Sequence, residues 1–284
     1  MPYRLLQAPA VEPLSLADAK LHLRVDITDD DELITALISA ARQYAENYTR
    51  RAIIQQKWKL VIDSFPGPTL IGVPWGKRFT LPGHAIFLER SQVQQVSAIN
   101  YTAMDGTAQT MPSADYTVDY TSEPCRITPV FGQIWPIPLP QIGAVEVDFW
   151  SGYAAPVTFS LIGNTMTVQG AWWPYNVGDC VQLSNVGGAP PAALSPNTNY
   201  FIQSVVSPGV YTLSATAGGA VIPLADAGSG TSLVGVVPEG LKAWMKIRLG
   251  SLYQHREADV VVERVKVQPL EWVDRLLDPF TVVF

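Results

Sequence analysis

The chain has 284 residues, of which 48% are hydrophobic and only 15% charged. An average soluble domain carries about 25% charged residues, so this composition excludes a disordered chain and points either to a surface engaged with partners or to a large β content. The net charge of −6 weighs against sequence-specific duplex binding, which needs a basic face to neutralise phosphates, but leaves room for a wall past which nucleic acid slides. The length suits two or three domains, and 21 glycines with 23 prolines fit a turn-rich β protein.

The first elements read as helical. An extended arm punctuated by Pro2, Pro9 and Pro13 leads to Ser15, which with Asp18 resembles a capping box. Leu16, Ala19 and Leu23, widened by Leu21 and Val25, predict a short helix over 15–24. The acids Asp29, Asp30, Asp31 and Glu32 suit a helix N-terminus better than a metal site, because they meet its partial positive charge. The next helix, 29–50, repeats apolar residues at Leu33, Leu37, Ala40, Ala41, Tyr44, Ala45 and Tyr48, with Ile34 and Ile38 beside them. It ends at the cations Arg50 and Arg51, which suit its C-terminus.

After Ala52 the period falls to two. Strands are expected at 58–63, 85–88, 93–99, 116–119, 126–129 and 145–149, with a hairpin signalled by Asp105-Gly106. Residues 55–153 thus read as an antiparallel β region. From 154 to 236 the only charges are Asp179 and Asp226, and short β runs at 165–168, 180–183, 200–206 and 210–214 alternate with turn residues. This stretch reads as an inserted all-β module, a small sandwich or barrel. Helix returns at Pro238, which suits a first turn, with Leu241, Trp244, Leu252 and Tyr253 on one face, and again over 269–277. The expected fold class is α+β: a helical bundle made from the N-terminal part, 1–54, and the C-terminal part, 237–284, around an antiparallel β region and the inserted module.

No catalytic set emerges. His22, His84 and His255 are scattered, and no phosphate loop, nucleophile elbow or dinucleotide fingerprint occurs. No enzyme activity, cofactor or metal is expected. Cys125 and Cys180 are too far apart for a redox or zinc motif, and both are read as free, buried thiols. The start, Met1-Pro2-Tyr3-Arg4, shows no signal-peptide core. The sparsely charged stretch Gln182 to Val237 is too broken by Pro, Gly, Asn and Ser to be a membrane helix. A soluble protein made in the cytoplasm, without a membrane partner, is expected. Two apolar features remain. Trp172, Trp173 and Tyr175 either plug one end of the β module or form a recognition surface for sugar rings or a protein. The tail Pro279, Phe280, Thr281, Val282, Val283 and Phe284 either docks on a partner or packs back on its own chain.

Two separated stretches of sequence resemble the head–tail connector (adaptor) proteins of tailed bacteriophages and gene transfer agents. The first runs Pro13-Leu14-Ser15-Leu16-Ala17-Asp18-Ala19-Lys20-Leu21-His22-Leu23-Arg24-Val25, then Asp30 to Ile34, Ala40-Ala41-Arg42, Glu46, Tyr48, Thr49 and Arg51. The second comprises Val145 to Phe149, Ser151-Gly152-Tyr153, Val237-Pro238-Glu239-Gly240-Leu241-Lys242 and Tyr253 to Glu257. In that family the Gly-Tyr element runs almost directly into the Val-Pro helix, so the insertion between them is a departure. The insertion itself resembles a β module found in phage structural and tail proteins.

The resemblance implies a structural virion protein at the neck, assembled in the host cytoplasm. It implies a ring homo-oligomer of twelve copies between the portal and a tail, stopper or nozzle protein, extending the channel through which DNA passes without specific binding. It gives Leu33, Leu37, Tyr44, Tyr48, Leu241, Trp244, Leu252 and Tyr253 to the helical core and ring. It gives Pro279, Phe280, Val282, Val283 and Phe284 to portal docking. The alternative function is a virion-surface protein whose β module binds glycans or the host through Trp172, Trp173 and Tyr175.

Overall fold

A computed structural model describes residues 3–67, 84–170, 174–255 and 271–282. The fold mixes helices with several antiparallel sheets. Strand β1 (Tyr3–Gln7) is followed by helices α1 (Leu16–Leu23) and α2 (Asp31–Thr49). The arm read as extended is therefore partly a strand, pairing Tyr3 with Leu60 and Leu5 with Trp58. Strands β2 (Gln56–Ile62), β3 (Ile86–Leu88), β4 (Val93–Thr102), β5 (Ala108–Thr110), β6 (Tyr116–Asp119), β7 (Cys125–Pro129) and β8 (Val145–Ser151) come next. They form a five-stranded sheet in the order β1-β2-β8-β4-β5 and a three-stranded sheet in the order β3-β7-β6. Leu60, Val147, Phe149 and Ile99 from the first sheet meet Leu88 and Ile127 from the second in one apolar core.

Strands β9 (Ala155–Ser160), β10 (Thr165–Val168), β11 (Cys180–Val186), β12 (Asn199–Ser207), β13 (Val210–Ser214) and β14 (Thr231–Val234) close a six-stranded barrel. β9 and β14 escape the sequence pattern, and they are the pair that closes the barrel: Val234 lies opposite Ala155. Alternate residues, among them Met166, Leu183, Ile202 and Leu213, fill the interior, as the period of two requires.

Helices α3 (Glu239–Gln254) and α4 (Glu271–Asp274), continued by a 3-10 turn (Arg275–Phe280), finish the chain. α1, α2 and α3 pack on one another around Ile34, Ile38, Ala41, Leu241, Trp244, Met245 and Leu249. The barrel contributes to this same core through Leu233. Neither the N-terminal nor the C-terminal helices have enough apolar surface to fold alone, so their stripes bury each other.

The stripe Leu16, Ala19 and Leu23 of α1, with Val25, faces the core as expected, while Leu21 departs from it and the stripe of α2 is displaced. Leu21 is exposed, and Ala19 is the buried residue of α1. In α2 the buried arc is Ile34, Ile38, Ala41 and Ala45, extended by Arg42, Glu46 and Thr49. Leu33 and Leu37 are half-buried beside it, but Tyr44 and Tyr48 are exposed, a correction to their place in the helical core. Both stripes have helical spacing. Arg42 and Glu46 look like surface residues in the sequence, yet they are buried as an ion pair, Nη1 to Oε2 2.8 Å. That pair turns the helix by roughly one residue relative to the apolar count. Leu241 and Trp244 are buried as expected, and Leu252 and Tyr253 are half-buried.

The chain crosses itself at Gly152, whose φ is 149°. A Cβ there would lie 2.6 Å from the Gln55 nitrogen. The flanking bonds, Tyr153 N to Ile53 O (3.1 Å) and Gln55 N to Ala154 O (2.9 Å), stitch the end of the sheet to the segment leaving α2. The Ser-Gly-Tyr element is thus a crossing that only glycine fits.

Candidate assembly surface

Three patches of side chains hold the ends of the helical part in place. The first begins with the acids ahead of α2. Ser15 caps α1 by accepting from Asp18 N at 3.0 Å. Lys20 on α1 then reaches Asp31 Oδ1 at 2.6 Å, and Tyr253 on α3 donates its hydroxyl to Asp30. The acidic run serves as a helix start and as the junction of three helices.

The second patch is buried. Glu46 accepts from Arg42, from Ile53 N (3.0 Å) and from the Gln56 amide (2.5 Å). Arg42 also reaches Glu12 Oε2 at 2.7 Å. Burial pushes the Glu46 carboxyl up, while Arg42 and the donors of Ile53 and Gln56 pull it down. The network ties the N-terminal arm, α2 and β2 together.

The third patch holds the C-terminal segment. Arg51 is buried, engages both oxygens of Glu123 and donates through Nε to the carbonyl of Phe280. Gln92 joins at Glu123 Oε1, 2.7 Å away. Val282 N donates to Thr49 O at 3.1 Å, and the Tyr48 hydroxyl donates to Asp278 at 3.3 Å. The Phe280 ring lies on Gly240 of α3, where a Cβ would be 3.0 Å from it. Phe280 and Val282 therefore pack within their own subunit in this structure. The packing-back alternative describes them. Pro279 is exposed, and Val283 and Phe284 lie outside the described residues. The Arg51 hub was not legible in the sequence, where Arg51 is only a cation at a helix end and nothing links it to Glu123.

Tyr44 stacks on Trp244 with ring centres 5.4 Å apart and on Tyr48 at 6.5 Å, and the Arg248 guanidinium lies 5.1 Å from the Tyr44 ring centre. This gives α2 and α3 a half-exposed aromatic face of the kind that anchors protein contacts. Among the proposed recognition aromatics, Trp172 and Trp173 lie outside the described residues. Tyr175 is half-buried, packs edge-on against Tyr211 at 5.5 Å and donates its backbone N–H to the Tyr211 hydroxyl oxygen at 3.3 Å. Tyr175 serves the barrel core.

A cleft of about 470 Å³ is lined by Phe65, His84, Trp135 and the prolines around it. It is apolar and brings no group of acids, bases or nucleophiles together. Among the described residues, no three His, Cys, Asp or Glu side chains are grouped to hold a metal ion, and no helix is long and apolar enough to cross a membrane. Cys125 is buried, and burial pushes its thiol up to about 12. Cys180 is exposed, a correction to its reading as a core thiol.

Residues 13–110 match the family of phage gp6-like head-tail connector proteins. No curated protein matches the chain in sequence. Among solved structures, a chain from the virion of a native gene transfer agent particle is similar with a TM-score of 0.54 and 14% identity. A chain from the neck of the empty particle, computed with C6 symmetry, gives 0.52 and 15%. A chain from the neck of the native particle, computed with C12 symmetry, gives 0.51 and 14%. Each covers 100% of this chain and 97% of the other. At that identity the likeness is one of fold, and it extends across the barrel as well as the helices. The matched residues run from the arm before α1 to the end of β5, and over that stretch the chain is similar to phage gp6-like head-tail connector proteins.

Proposed function

We propose that this protein is a structural component of the neck of a phage or gene-transfer-agent-like particle, where twelve copies form a ring between the portal and the tail-side protein and extend the DNA channel. The observation that carries the reading is the connector match over residues 13–110 on a chain whose whole length shares its fold with neck proteins. The C12 symmetry of one such neck supports the copy number. The side-chain inventory agrees: the buried polar groups hold elements together rather than converge on a cleft. The acidic balance suits a channel wall, because phosphates are repelled rather than bound. On the outward face of the five-stranded sheet, Lys59 pairs with Glu146 at 2.5 Å and lies 3.8 Å from Asp148, so the cations there are neutralised.

The test is quantitative mass spectrometry of purified particles, scaled to the major capsid protein. About twelve copies per particle is the expected result for a closed ring. About three to six copies would move the protein to a tail tip or fibre. Absence from particles would overturn the reading.

A further inference from the structure

We draw no further inference here: the strongest candidate, the uncharged 130–142 loop between β7 and β8, which exposes Phe131, Ile134, Ile137 and Ile142 beside the apolar cleft lined by Phe65 and Trp135, is an unpartnered apolar face, and nothing in the structure shows what covers it.

Discussion

The buried Arg42–Glu46 pair is the residue whose removal should matter most for folding. Glu46 satisfies an arginine, an amide and a backbone N–H at once. Truncating Glu46 takes the acceptor from the buried donors of Ile53 and Gln56 and leaves Arg42 to Glu12, at a cost of about 3–5 kcal/mol. Glu46→Ala is expected to lose that much in urea unfolding, and a loss below about 1 kcal/mol would show that water relieves Arg42. Asp119 offers a pH-dependent counterpart. The hydroxyls of Ser122 and Thr121 and the Arg126 guanidinium hold its carboxyl well below the usual carboxylate range. A depressed folded value stabilises above the unfolded pKa of about 3.9 and is lost as pH falls toward the folded one. Wild-type melting temperature should therefore fall as pH drops below about 4. In Asp119→Asn that fall should be shallower, with the variant less stable at neutral pH. Identical acid limbs would assign the effect to other carboxylates.

At the scale of elements, the C-terminal segment behaves as part of the helical core. Phe280 rests on Gly240, Val282 is buried, and Arg51 holds the Phe280 carbonyl. Burying a large apolar side chain contributes about 1.5–3 kcal/mol. Removing residues 279–284 should thus lower subunit stability by on the order of 3 kcal/mol. Calorimetry of the truncated chain checks this. An unchanged melting temperature would mean that the segment leaves its site in solution and is free for a partner. The aromatic face of Tyr44, Tyr48 and Trp244 is the other element-level product of packing. The apolar repeat made the tyrosines core residues, while the buried ion pair rotated them outward, where they stack and meet Arg248.

At the scale of the whole molecule, the barrel is a closed unit that also joins the helical core. Its first and last strands pair, so its two ends meet at Ala155 and Val234. Joining Ala154 to Gly235 through a short flexible linker should remove the barrel and leave a folded helix-and-sheet body. Leu233, however, belongs to the helical core. Loss of one buried leucine costs about 2–5 kcal/mol, and the excised chain should be less stable by that amount. Loss of all cooperative unfolding would show instead that the body cannot fold without the barrel.

The sequence by itself determined the element types and their order. Periods of 3.6 and 2 follow from local backbone geometry, and Ser15, Pro238 and the acids before α2 act on neighbours within one turn. The resemblance to connector proteins was legible for the same reason, since the motifs that carry it are caps, stripes and the Gly152 crossing. Only the tertiary structure decided which of two equally periodic stripes on α2 was buried, that Arg51 found Glu123 and Phe280, and that the tail folded back. It also decided that the isoleucines of the 130–142 loop, spaced like core residues, stand in water. Each of these outcomes depends on groups far apart in the chain, whose desolvation and pairing are fixed only when the elements meet.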